Sequence, residues 1–433
     1  MSIFLDRWKK QERFFFLLTI AGAMAVYFLL ILLMEFQLGD DLQAISLARK
    51  SSFTDIFTSS VYNWGEYYRP LILFVAKLSL TPSFSVLPFR IGLALTGLAI
   101  FALAILSVRN LGVSLFGVAL AVFFLIGSPF THGTFTWWAD MGGRHVVLGF
   151  MVAAYFITAG KRLPWLVAFP VLAFCLLSQE AGLAIALLYF CTFLVWRDYR
   201  GAAGILLLLV AYFALRFAVL GAVFSQKGLF LQLPQGFFFT NVTSKEQWQG
   251  MFGGRYHLLY VYNIFAQFFA VFFAEPNSGL LSFSQWRHVL PFIVQTASTV
   301  ILCTVLLRKA DHKILLIVGL FLLAIIANVF IGFGSARFRT IAMSGTAYMI
   351  LFVWAADMIW RSLRSGSSRW PRWSICLVLA LFFGWGGQAA LRILDMGHGV
   401  RNQGRAYFLT PEPPDSEIDA DLYWSVKQKY VEQ

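Results

Sequence analysis

Long apolar runs recur along the chain, and each has the length of a helix that crosses a lipid bilayer. The first run, residues 14–34, contains no charged residue. About 20 apolar residues span the roughly 30 Å hydrocarbon layer of a membrane. A segment in lipid must satisfy its own backbone hydrogen bonds, and transmembrane β-strands would appear as shorter segments of alternating polarity. The sequence therefore predicts an all-α polytopic membrane protein.

The composition excludes an ordinary soluble domain. Hydrophobic residues make up 59% of the chain and charged residues 13%, whereas soluble domains contain about 25% charged residues. The four cysteines lie in apolar runs without a Cys-x-x-Cys spacing, which argues against disulfides and thiolate metal sites. The net charge of +13 is spread over short loops, so it does not indicate nucleic-acid binding.

About 11 runs are predicted to cross the membrane as a helical bundle. Basic residues precede the first run, which places the N-terminus in the cytoplasm by the positive-inside rule. This run has no cleavage site and is expected to remain as a signal anchor. The predicted spans are 14–34, 86–108, 111–129, 144–160, 164–178, 181–196, 201–223, 289–307, 314–333, 338–360 and 372–394.

Residues 258–274 are also apolar enough to cross the membrane. A crossing there would place the basic loops at 308–309 and 361–372 outside, against the positive-inside rule. We therefore predict an interfacial or re-entrant helix packed against the protein. A second hairpin partner within 275–288 is the alternative that keeps the same orientation.

Four regions follow from these spans. Residues 1–223 form an N-terminal transmembrane module, 224–288 an external or interfacial segment, 289–394 the C-terminal transmembrane helices and 395–433 an external tail. The first external loop, 35–85, is expected to be catalytic. Within it, 41–50 and 70–80 are predicted as short amphipathic helices that lie along the membrane, the second begun by Pro70.

An acidic pair, Asp40 and Asp41, follows the first span by a few residues and so lies at the external membrane face. One Asp is explained as the N-cap of a helix that opens at Leu42. The second carboxylate has a neighbour of like charge that disfavours its ionisation, which suits a general base. The pair is therefore either a helix start or a catalytic group.

Aromatic and basic residues follow in the same loop. Trp64, Tyr67, Tyr68 and Arg69 belong to the sequence WGEYYRPL. Arg69 is a candidate to hold an anion, because a guanidinium forms charge-assisted hydrogen bonds to carboxylate or phosphate.

The second external turn contains His132, Asp140 and Arg144, the last directly after two glycines. An arginine at a helix start adds its charge to the free N–H groups and makes an anion site. An ion pair between Asp140 and Arg144 with no further role is the alternative. Glu180, in a later Ser-Gln-Glu-Ala-Gly turn, either begins a helix or orients one of the arginines.

A glycine-containing turn near residue 334 delivers Arg337 and Arg339 to the external face. Snorkelling toward the interface explains one of them, whereas two beside glycines indicate a phosphate site. The external histidines lack metal-ligand spacing. A carboxylate-bound Mg²⁺ or Mn²⁺ at Asp40 or Asp140 stays open, and no other cofactor is required.

The order of these motifs resembles the C-type (GT-C) glycosyltransferases, in the branch of the protein O-mannosyltransferases, the aminoarabinose transferases and the O-mannosyltransferases that bear tetratricopeptide repeats. The resemblance implies an undecaprenyl-phosphate type of sugar donor, used at the external face to modify a glycan, lipid or protein. It implies Asp40 as the first-loop base, Asp140 as a second-loop carboxylate and Arg69 as the residue that touches the lipid phosphate.

The chain also departs from that pattern. It has Asp-Asp where O-mannosyltransferases often carry Asp-Glu, Ser-Gln-Glu where they carry Ser-Lys-Glu, and no tetratricopeptide array. The acceptor is therefore not implied. The compact loops favour a bacterial inner membrane with a periplasmic active site.

Two other functions compete with an inverting glycosyltransferase. A polysaccharide transporter or flippase would place ionisable groups mid-membrane, whereas these spans read as almost uncharged apart from Arg90 and Arg216 near helix ends. A lipid-linked oligosaccharide polymerase or ligase would also use external arginines, but it would not need the first-loop acidic pair.

Overall fold

The structure, a computed structural model, describes ten stretches of the chain, and these are largely helical. The stretches are 2–33, 40–59, 68–79, 87–130, 141–179, 181–221, 256–274, 286–331, 341–365 and 370–408. The helices are α1 Ser2–Leu33, α2 Asp40–Lys50, α3 Phe53–Thr58, α4 Pro70–Ser79, α5 Leu87–Asn110, α6 Leu115–Gly127, α7 Met141–Ala159, α8 Trp165–Ser178, α9 Gly182–Val195, α10 Tyr199–Leu220, α11 Tyr256–Phe273, α12 Trp286–Lys309, α13 His312–Ile331, α14 Ala342–Arg364 and α15 Arg372–Phe408. No strand occurs in these stretches, which confirms the predicted all-α class.

Each predicted span coincides with one of these helices. Seven helices are long and apolar enough to cross a membrane by length and composition, namely α1, α5, α7, α10, α12, α14 and α15. The described apolar parts of α6, α8, α9 and α13 are shorter. Helix α15 passes the predicted end at residue 394 and has 37 residues, about 55 Å at 1.5 Å per residue. The predicted external tail therefore begins as a continuation of this helix.

Helix α14 lies at the centre of the bundle. Nearly all of its residues from Ala342 to Ile359 are buried, and α6, α7, α12, α13 and α15 pack around it. Aromatic rings fill part of this core, with Phe124 of α6 4.3 Å from Trp385 and 6.1 Å from Tyr348 between ring centroids. Outer helices such as α10 expose leucines instead, among them Leu207 at 70%. An apolar outer surface around a packed core is what a bundle in lipid requires.

One charged residue lies inside the central helix. The carboxylate of Asp357 is fully buried, accepts a hydrogen bond from Ser114 Oγ and forms a 2.7 Å ion pair with Arg361. Ser114 precedes α6 but makes no capping bond to it, so its hydroxyl ties α6 to α14 instead. The prediction that the spans are almost uncharged is therefore wrong at Asp357, although this residue lies only about two turns from the end of α14.

Helix α11 coincides with the segment predicted as interfacial or re-entrant. Thr299 Oγ1 donates to the carbonyl of Phe272 at 2.8 Å, and Gln295 Nε2 donates to that of Val271. These carbonyls belong to the last turn of α11, which lacks intrahelical donors. Both donors lie near the middle of the 24-residue α12. Two carbonyls at the end of α11 are thus satisfied by α12, and the interfacial or re-entrant placement of α11 stays a prediction.

The orientation of the bundle is directly testable. We expect positions 309 and 364 to face the cytoplasm and positions 285 and 407 the opposite side, because the basic loops resist translocation. The variants are Lys309→Cys, Arg364→Cys, Gln285→Cys and Tyr407→Cys in a chain without its native cysteines. An impermeant thiol reagent applied to intact cells should label only the last two. Labelling of Lys309→Cys with protection of Tyr407→Cys would show that α11 crosses the membrane.

Candidate active site

Three short helices, α2, α3 and α4, belong to the first external loop, and α4 packs against α2, α3 and α8. The predicted helices 41–50 and 70–80 correspond to α2 and α4, and α3 lies between them. Ser52 caps α3, since its Oγ accepts from Asp55 N at 3.1 Å while Asp55 Oδ2 accepts from Ser52 N at 2.9 Å. These bonds from Ser52 lower the pKa of the exposed Asp55 carboxyl. Asp55 is therefore a structural acid of the loop.

Helices α2 and α4 pack against each other with their C-terminal ends close together. Lys77 Nζ, near the end of α4, donates to the carbonyl of Arg49, near the end of α2, at 3.3 Å. The buried apolar residues have the same sequence spacing on both helices. They are Ala44, Ile45 and Ala48 on α2 and Ile72, Leu73 and Ala76 on α4. The shared spacing and the adjacent C-terminal ends are consistent with a parallel pair, because both helices rise 1.5 Å per residue.

In a parallel pair with this spacing, the backbone of Asp41 would lie level with that of Arg69. Each stands three positions before the buried set of its own helix. Helix α2 is described from Asp40 to Lys50, which agrees with the predicted helix 41–50, and both acids of the pair belong to its first described turn. Negative charge is favoured there by the helix dipole. The side chains of both acids lie outside the described part of the chain, so their contact with Arg69 stays a prediction.

Tyr68 fixes the segment that carries Arg69. Its side chain is fully buried, and its hydroxyl donates to the carbonyl of Phe57 in α3 at 3.3 Å. Its ring lies 6.4 Å from that of Tyr212 on α10. Burial raises the pKa of Tyr68 to about 12, so the phenol stays protonated as a donor. Arg69 follows directly and is partly exposed.

Arg216 is a buried cation that the sequence analysis did not select as a site residue. It lies one turn after Tyr212 on α10 and is fully buried. Residues four apart share a face of a helix, so Arg216 is on the face that Tyr212 turns toward Tyr68. The signal in the sequence is a charge inside an apolar span, which marks function by default. Only the fold shows that this charge lies near the first external loop.

The second external turn and the Ser-Gln-Glu turn also lie together. A Cβ added at Gly142, in the first turn of α7, would meet the carbonyl oxygen of Ser178 at 2.8 Å, so only glycine allows this approach. His145 Nδ1 lies 2.7 Å from Ser178 Oγ, which donates to the carbonyl of Phe174 at 2.6 Å. Arg144 is buried beside them. Two motifs that lie more than 30 residues apart thus form one packed corner.

The remaining predicted site residues lie outside the described part of the chain. They are Trp64, Tyr67, His132, Asp140, Glu180, Arg337 and Arg339, together with the side chains of Asp40 and Asp41. Within the described part, no group of three or more His, Cys, Asp or Glu side chains could hold a metal ion. The Mg²⁺ or Mn²⁺ site at Asp40 or Asp140 therefore stays a prediction.

The whole fold is similar to that of a solved glycosyltransferase of the GT-C type. The crystal structure of ArnT from Cupriavidus metallidurans bound to undecaprenyl phosphate matches with a TM-score of 0.50 and 12% sequence identity, over 92% of this chain and 81% of that chain. At this identity the likeness shows the fold alone. No protein-family model matches the sequence, and no curated protein matches it. The fold is thus an all-α bundle like that of ArnT, in an integral membrane protein.

Proposed function

We propose that this protein is an inverting glycosyltransferase that moves a sugar from a polyprenyl-phosphate donor to an acceptor hydroxyl at the external membrane face. The observation that carries the proposal is the packing of α2 against α4 with their C-terminal ends close together, which supports an acidic pair near Arg69. The ArnT structure contains undecaprenyl phosphate, which supports a lipid of the same kind as the donor carrier. The acceptor is a glycan, a lipid or a protein, and the membrane is a bacterial inner membrane.

The reaction requires a base and a cationic site on opposite sides of the sugar. The base removes the proton of the acceptor hydroxyl as its oxygen forms a bond to the anomeric carbon. The bond from that carbon to the phosphate oxygen breaks, and cations stabilise the charge on the leaving phosphate. One displacement of this kind inverts the anomeric configuration.

The role of each site residue is assigned from the sequence motifs together with the fold. Asp40 is the base. Asp41 and Asp140 support it. The phosphate is held by Arg69 with Arg144, Arg337 and Arg339, and the buried Arg216 joins this set because of its place beside Tyr212. Tyr68 supports the site by fixing the chain before Arg69.

The buried charges argue against a transporter. Arg144 lies in the first turn of α7, Arg216 in the last two turns of α10 and Asp357 near the end of α14. Transporters hold their coupling ions and substrates near the bilayer midplane on broken helices. Charges at the ends of continuous helices fit chemistry at the membrane face instead.

Donor choice tests the proposal. The purified protein is given a panel of polyprenyl-phosphate monosaccharides or polyprenyl-diphosphate oligosaccharides, with a bacterial envelope extract as the acceptor pool. We expect sugar transfer and release of polyprenyl phosphate from the first panel only, with inversion at the anomeric carbon. The Asp40→Asn variant serves as the matched negative control. Transfer from the diphosphate panel alone would identify a polymerase or ligase and overturn the proposal.

A further inference from the structure

A cavity lined by arginines lies at the end of the bundle opposite the candidate active site. Its volume is about 560 Å³, and it is formed by the N-terminal part of α1, the end of α5, the start of α6 and the end of α14. Arg13, Arg109 and Arg364 line it together with Glu12. Three cations against one carboxylate give the lining an excess of positive charge.

Contacts within the protein satisfy only part of this positive charge. Arg364 Nη2 lies 2.7 Å from Glu12 Oε2, and Arg109 Nη1 donates to the carbonyl of Val113 at 2.9 Å. Arg13 makes no hydrogen bond or ion pair with any residue in the described stretches. The cavity is therefore suited to an anion that Arg13 binds directly and the other two guanidinium groups share.

The other part of the lining is apolar. Phe16, Leu17 and Phe116 form it, with the rings of Phe16 and Phe116 6.1 Å apart. Directly after Arg13, α1 exposes Phe14, Leu17 and Leu18 at 68%, 54% and 61%. A small free anion would make no favourable contact with this apolar surface. A ligand with a charged head and apolar tails satisfies both parts at once.

We propose that the cavity binds the phosphate headgroup of an anionic phospholipid, with the acyl chains lying along the exposed face of α1. Basic pockets between transmembrane helices on the cytoplasmic side are suited to such headgroups. The positive-inside rule assigns this end of the bundle to the cytoplasm. A bound lipid would join α1 to α5, α6 and α14 and stabilise the folded bundle, since it binds the native state alone. This inference does not depend on the proposed function.

The test compares lipids on the purified full chain in a neutral detergent. Dioleoyl-phosphatidylglycerol, dioleoyl-phosphatidylcholine and inorganic phosphate are each titrated, and the melting temperature and the lipids retained in native mass spectra are recorded. We expect only phosphatidylglycerol to raise the melting temperature and to stay bound. Arg13→Ala should weaken its apparent affinity about fivefold, the effect of one basic residue at an anionic surface.

A matched control separates a site from general surface attraction. Lys309 is exposed at the same end of the bundle but does not line the cavity, so Lys309→Ala should bind phosphatidylglycerol like the parent protein. Arg13→Gln repeats the test should Arg13→Ala fold poorly, which its melting temperature without lipid reveals. Equal stabilisation by phosphatidylcholine, or equal losses in the Arg13 and Lys309 variants, would overturn the proposal. Saturation by inorganic phosphate alone would assign the cavity to a free anion instead.

Discussion

Replacing Asp40 with Asn is expected to abolish sugar transfer while the protein remains folded. Loss of a general base costs about 10² to 10⁴ in rate. Asn has nearly the same size as Asp and remains favourable at a helix start, so the melting temperature should change little. The measurement is turnover of sugar from a polyprenyl-phosphate donor, with the melting temperature recorded for the same preparation.

Asp41→Asn is the matched control for this variant. It removes one carboxylate from the same first turn of α2, so it reproduces any general effect of lost charge at the helix start. We expect a smaller loss of turnover, because the proposed mechanism gives Asp41 a supporting role. Near parental turnover in Asp40→Asn, with the loss falling on Asp41→Asn or on neither variant, would show that Asp40 is not the base.

The positions of the spanning helices are predictable from the sequence because lipid imposes one rule on all of them. An apolar run of sufficient length has no alternative to a helix in lipid. The ends of helices obey no such rule, and α15 runs on to Phe408 beyond the apolar part of its sequence. Helix α3 was predictable, since Ser52 and Asp55 have the spacing of a capping box, and acids or amides three residues after Ser mark helix starts.

Contacts between distant segments could not be predicted in the same way. Ser114 bonds to Asp357 across 243 residues of sequence, and no local pattern indicates that pairing. The sequence shows a glycine at position 142. The close approach of the Ser178 carbonyl, which requires that glycine, is known only once α7 and α8 are packed together. Periodicity shows which face of a helix is buried. It does not show which helix covers that face, and the candidate site depends on that information.

Replacing Arg69 with Ala is expected to weaken donor use by about tenfold to a hundredfold. A charge-assisted contact is worth roughly 1.5 to 3 kcal/mol, and each 1.4 kcal/mol is about a factor of ten. Arg69→Lys should recover only part of the loss, because an ammonium cannot reproduce the forked donors of a guanidinium. Donor titrations that give KM and kcat separately, for both variants and the parent protein, provide the measurement.

Lys77→Ala controls for loosening of the loop, since Lys77 lies on α4 and holds the carbonyl of Arg49 but is not assigned to the phosphate. Its donor titration should match that of the parent protein. A parallel pair of α2 and α4 would also allow Arg69 to act through Asp41, and a double-mutant cycle of Arg69→Ala with Asp41→Asn separates the two roles. Additive losses mean that Arg69 contacts the donor independently, whereas a strongly non-additive pair means that it positions Asp41. Unchanged KM and kcat in Arg69→Ala would remove Arg69 from both roles and leave Arg144, Arg216, Arg337 and Arg339 as the proposed cations for the leaving phosphate.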